Sequence, residues 1–137
     1  MKIVICGSMV FAKKMKDVKD YLIKKNFEVY LTELIGQYIK INSIEKKEFE
    51  AASNKIKYDM IQKYFDEIGL ADAILVVNED KKGISNYIGG NTFLEMGFAY
   101  VLKKKIFLLN DIPKMNYADE IIAMKPIILN GNLNLIK

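Results

Sequence analysis

Ala73-Ile74-Leu75-Val76-Val77 is an unbroken apolar run with no polar residue on either side of the pleat. A strand of that kind is covered on both faces, as in the middle of a parallel sheet. Similar runs recur along the chain. Lys2-Ile3-Val4-Ile5-Cys6 breaks off at Gly7-Ser8, Phe27 to Leu31 follows, and Lys105 to Leu109 and Pro126 to Leu129 come later. Each is β-rich and bounded by turn or helix signals.

Helical spacing fills the gaps. Between Val10 and Lys25, Phe11, Met15, Val18 and Leu22 step by 4, 3 and 4, one face of a helix. Asn26 suits its C-terminal end. Residues 34–43 have no assignable period. From Ile44 to Leu70 the apolar positions Phe49, Ala52, Ile56, Met60, Tyr64 and Ile68 predict a long helix. A polar loop over 78–90 precedes a helix from Asn91 to Lys103, and a short helix spans Tyr117 to Met124.

The resulting β-α-β-α-β-α-β-α-β order, without repeat or linker, predicts one domain over residues 1–137. Parallel strands need crossovers, and right-handed crossovers put helices on both faces. The expected fold is α/β, a three-layer Rossmann/flavodoxin-like domain with a five-stranded parallel sheet. Ligands of such sheets bind beyond the carboxyl ends of the strands. The candidates therefore follow Cys6, Leu31, Val77 and Leu109, with Asn78 the first residue past the central strand.

Composition limits the chemistry. The 137 residues are 51% hydrophobic and 28% charged, which suits a compact domain and excludes a disordered chain. No apolar run approaches the roughly 18 residues of a membrane span, and no signal-peptide pattern is visible. A single cysteine, Cys6, permits no internal disulfide, so a cytoplasmic protein is expected. There is no His, and all 21 basic residues are Lys. This excludes His-based triads, imidazole bases and thiolate or His zinc sites, and it removes the bidentate guanidinium grip on phosphate. The charge of +4 is scattered as Lys pairs and the run Lys103 to Lys105, without interleaved aromatics, so no nucleic-acid partner is expected.

Two strand ends carry candidate chemistry. Gly7 and Ser8 form either a backbone nest for an anion or sugar hydroxyl, or a turn glycine with an N-cap serine. Gly89-Gly90-Asn91-Thr92-Phe93-Leu94-Glu95 joins a glycine turn to a helix start. There Glu95 is either a nucleophile kept ionised by first-turn N–H groups, or the closing residue of a Thr92–Glu95 capping box. Gly97 and Ala99 are expected to let this helix pack closely on the sheet.

Ile5-Cys6-Gly7-Ser8, Glu28 to Glu33, Ala71 to Val77, Glu95-Met96-Gly97-Phe98-Ala99 and Lys104 to Phe107 together resemble the nucleoside 2-deoxyribosyltransferase family and its relatives, the 2′-deoxynucleoside 5′-phosphate N-hydrolases. The resemblance implies a small-molecule nucleoside or nucleotide substrate, cleavage or transfer at the N-glycosidic bond, and a homodimer or higher oligomer. It implies no metal and no cofactor. Glu95 takes the place of the nucleophile that holds the sugar as an ester. Gly7, Ser8, Gly89 and Gly90 line the sugar or phosphate side, with Asn78, Asn91 and Thr92 nearby. Where relatives carry a second carboxylate, eight residues before Asp72, this chain has Tyr64, and Asp59 or Asp66 could serve from the same helix. Where the N-hydrolases carry a phosphate-gripping arginine after Gly-Ser, this chain has Met9, Val10 and Phe11, leaving Lys13 or Lys14 as point charges. The segment Lys82 to Ile88 is either a lid, with Tyr87 stacking on a base, or part of a subunit interface. A binding domain without turnover is the alternative to an enzyme.

Overall fold

The computed structural model describes residues 1–46 and 54–137, without the side chains of 54–58. Its strands are β1 (Lys2–Cys6), β2 (Glu28–Tyr30), β3 (Ala73–Val76), β4 (Lys105–Leu108) and β5 (Ile127–Ile128). The helices are α1 (Ala12–Lys24), α2 (Leu34–Lys40), α3 (Asn54–Gly69), α4 (Gly90–Val101) and α5 (Ala118–Ala123). The strands form one parallel sheet in the order β2-β1-β3-β4-β5.

The apolar run that suggested a central strand is β3, which pairs with β1 through Ile3↔Ala73 to Cys6↔Val76 and with β4 through Ala73↔Lys105 to Val76↔Leu108. All four of its residues are buried. Strand alternation divides the core in two. Ile3, Ile5, Leu75 and Phe107 face Met15, Val18 and Leu22 of α1 with Ile35 and Tyr38 of α2. Val4, Cys6, Ile74, Val76 and Ile106 face Tyr64 and Ile68 of α3, Met96 and Ala99 of α4 and Ile121 of α5. The three-layer α/β domain expected from the element order is the one observed.

Several elements differ from the sequence reading. Residues 34–40, left without a period, form α2, whose Ile35 and Tyr38 are buried one helical turn apart. Of the long helix expected from Ile44, residues 43–46 and Asn54–Gly69 are helical, while Phe49, Ala52 and the Ile56 side chain lie outside the described residues. Asn26 adopts φ +67° just past α1, the left-handed conformation an Asn tolerates at a helix end. Gly97 does not act as a packing contact, because a Cβ there would meet nothing within 4 Å.

The start of α4 bears most on the site. Its N-cap is Gly89, and the first helical bond runs from Phe93 N to Gly89 O at 2.9 Å. Thr92 is therefore inside the helix and cannot cap it, so the capping box is absent. Glu95 lies beyond the first turn, which contains no acidic residue. Glycine at the cap lets the backbone enter the helix three residues earlier than the Thr-x-x-Glu spacing suggests.

Candidate active site

A sheet ordered 2-1-3-4-5 reverses its winding between β1 and β3, and a crevice opens at their carboxyl ends. The cavity there has a volume of about 380 Å³, within the range of small-molecule sites. Gly7 and Ser8 enter from the end of β1, Thr32 and Ile35 from the end of β2, and Met60 and Tyr64 from α3. The loop after β3 contributes Lys81 and Tyr87, while Gly89, Gly90, Asn91, Thr92 and Glu95 come from the start of α4. The structure thus brings together Gly7, Ser8, Tyr64, Tyr87, Gly89, Gly90, Asn91, Thr92 and Glu95, but not Asn78, Lys13, Lys14, Asp59 or Asp66.

Asn78 has a different position. It is wholly buried, and its Nδ2 donates to Asn110 O at 3.1 Å and Asp111 O at 3.0 Å, with a longer bond to Asn86 O. Its Oδ1 accepts from Asn110 N at 2.9 Å. The side chain fastens the ends of β3 and β4 behind the cavity and does not line it.

Gly7 is required by close approach. A Cβ on it would lie 3.0 Å from both Met15 Sδ and Val77 O. Ser8 does not cap the turn that follows; its Oγ accepts a bond from Lys81 Nζ at 3.0 Å. Gly89 makes room for the Tyr87 ring, which a Cβ would meet at 3.3 Å. That ring in turn lies under the Lys81 ammonium, 5.0 Å from its centroid. Ile88 is 1% exposed within the single chain, so its burial needs no subunit interface. Tyr117 secures the same segment by donating its hydroxyl to Ile88 O while stacking on Phe93.

Lys13 and Lys14, the cations suggested by the sequence, are solvent-exposed on α1. Among the described residues the cation that lines the cavity is Lys81. The sequence carried a signal for it, a lysine in the loop after the central strand, but not its contact with Ser8. Asp59 and Asp66 are likewise exposed, and Asp66 is bonded to Gln62 at 3.0 Å.

Tyr64 is buried, donates its hydroxyl to Ile5 O at 3.2 Å and accepts from Thr32 N at 3.3 Å. Burial raises its phenol well above the ordinary range, so the proton stays on the oxygen. Tyr64 ties α3 to β1 and to the loop after β2. It holds the cavity wall in place and carries no second carboxylate's charge.

Among the described residues Glu95 is the buried ionisable group with unused hydrogen-bonding capacity. It is buried, and its Oε2 has no hydrogen-bond partner. Burial pushes its carboxyl up to about 8, only partly opposed by a hydrogen bond from the Cys6 thiol beneath it. The acid is therefore mostly protonated at neutral pH, the opposite of the ionised first-turn carboxylate expected from the sequence. Desolvation prevails because Glu95 sits past the free N–H groups of the helix start. Among the described residues no three His, Cys, Asp or Glu side chains cluster as a metal site would require, and no helix is long and apolar enough to cross a membrane.

The sheet order and the cavity at its switch point define a flavodoxin-like doubly wound domain. No protein-family model matches the sequence, and no curated protein matches it significantly. Among solved structures the chain is similar to the CMP N-glycosidase BcmB of Clostridium botulinum. The TM-score is 0.56, with 19% identity over 93% of this chain and 85% of that one. At this identity the likeness is one of fold.

Proposed function

We propose that the chain cleaves the N-glycosidic bond of a nucleoside or nucleotide, with Glu95 as nucleophile. The observation that carries this reading is the unpartnered Oε2 of buried Glu95, a residue that lines a cavity of nucleoside size at the β1/β3 switch. The fold likeness to a CMP N-glycosidase supports it. In its ionised form Glu95 attacks the anomeric carbon. A C–O bond forms to the carboxylate as the bond to the base nitrogen breaks, and the electron pair leaves with the base, which takes up a proton. Water then displaces the carboxylate, giving up a proton to solvent that balances the one taken by the base, and the sugar leaves with the carboxylate free; a second base in place of water, losing its N–H proton likewise, gives transfer. This is the retaining scheme of carboxylate glycosidases. Burial serves it twice, by excluding competing water and by leaving the carboxylate underhydrated and reactive.

A second reading, a binding domain without turnover, is favoured by Tyr64, whose hydroxyl is committed to backbone groups where an acid would assist the leaving base. Incubation with nucleosides, deoxynucleosides and their monophosphates, with free base read by chromatography, separates the two. Release by the wild type and none by Glu95→Gln supports the enzyme. Thermal stabilisation without release from any compound supports the binder.

A further inference from the structure

A neutral base leaves its sugar only with a proton, and a positioned acid that supplies it is worth about 100- to 10,000-fold in rate. Among the described residues that line the cavity, Glu95 carries the carboxyl, and as nucleophile it cannot also be that acid. The Tyr64 hydroxyl gives its hydrogen to Ile5 O and receives one from Thr32 N, and burial makes the phenol a still weaker acid. Lys81 and Tyr87 are engaged with Ser8 and with each other. The other polar side chains are the hydroxyls of Ser8, Thr32 and Thr92 and the amide of Asn91, too weakly acidic to protonate a base. Asp59 and Asp66 are exposed and outside the lining.

Glu95 shows the complementary gap. Its Oε2 has no partner, and the groups that perturb its carboxyl, burial and the Cys6 thiol, include no cation. A buried carboxylate needs a counter-ion, and here the ligand can bring one. Met9, Met15, Ile35 and Met60 make much of the remaining wall apolar, which suits a flat, delocalised cation better than a strongly hydrated ammonium. We propose that the substrates of this site are nucleosides whose base already carries a delocalised positive charge, as in an N-ribosylpyridinium or a 7-alkylpurine nucleoside. Such a base leaves as a neutral molecule: the electron pair of the breaking C–N bond cancels the ring charge, and no proton is taken up. Glu95 forms its C–O bond to the sugar, water displaces it, and one proton goes to solvent. Cation and water thus give free sugar, neutral base and a proton. The same charge favours the ionised form of Glu95, which is the nucleophile. The inference rests on the glycosidase reading and narrows its substrate, and it explains how a cavity without a second acid can turn over.

The test compares matched pairs that share a sugar: 7-methylguanosine with guanosine, and nicotinamide riboside with its reduced, uncharged form, each also as the 2′-deoxyriboside. Base release by the wild type is read by chromatography against the uncatalysed rate of each compound and against Glu95→Gln. The enhancement is expected to be about 100-fold or more greater for the cation, the share an acid would otherwise supply, and absent in Glu95→Gln. A second readout needs no turnover. The cation 1-methylnicotinamide, which has no glycosidic bond, is titrated into both proteins above about pH 8, where Glu95 is mostly ionised, with neutral nicotinamide beside it. The cation is expected to bind the wild type about 10-fold more tightly than Glu95→Gln, and nicotinamide to bind both alike. Equal enhancement within each pair, or equal binding of the cation by the two proteins, overturns the inference, while release of a neutral base leaves the glycosidase reading standing. Release from no compound, cationic or neutral, refutes both.

Discussion

The carboxyl of Glu95 is raised to about 8, against 4.5 for an ordinary glutamate, chiefly through burial. Between those two values the unfolded chain has lost a proton that the folded chain keeps. Stability therefore falls as pH rises from about 4.5 toward 8 and levels off above that. Glu95→Gln removes the dependence and keeps the neutral shape, so in denaturant titrations its advantage over the wild type is expected to be small near pH 4.5 and largest above pH 8. A constant difference across that range would show that Glu95 is not desolvated. The sequence made Glu95 legible as a candidate but not its protonation. The Thr92-to-Glu95 spacing matches a capping box, and nothing in it reveals that Gly89 caps the helix instead. Lys81 was illegible for a related reason: its contact with Ser8 spans 73 positions and depends on the loop after β3, in which Lys82 adopts a left-handed conformation.

Strands β1, β3 and β4 were readable because burial on both faces leaves an apolar run with few alternatives. Helix α2 was not, since its 7 residues allow only one buried turn and Gly36 lowers helix propensity within it. The glycines of the site elements behave differently from one another. Gly7→Ala places a methyl against the Val77 carbonyl and Met15 sulfur, and a loss of about 1–3 kcal/mol is expected from overpacking. Gly97 lies within α4 with open space around it, so Gly97→Ala is expected to stabilise by about 0.5–1 kcal/mol through helix propensity alone. Urea denaturation of the two variants checks both signs. A stabilised Gly7→Ala would mean that the β1 turn is looser than its contacts indicate.

The sheet order could not be read from hydrophobicity, which identifies strands but not their neighbours. It follows from the crossovers, and its end is fastened by Asn78. Asn78→Asp exchanges the amide for a carboxylate facing the carbonyls of Asn110 and Asp111, and a loss of roughly 3 kcal/mol or more is expected in the same denaturation assay. A loss under about 1 kcal/mol, the scale of a single neutral bond, would show that the β3–β4 clamp is dispensable. With Tyr64 and Lys81 in the lining of the cavity, Glu95 remains the group whose ionisation sets the proposed reaction. The pH dependence of kcat/KM for base release, measured on the wild type beside Glu95→Gln, tests this most directly. A nucleophilic Glu95 predicts a rate that climbs with pH to a plateau above about 8, and no release by Glu95→Gln at any pH. Release by Glu95→Gln, or a rate that falls as pH rises through 8, would contradict it.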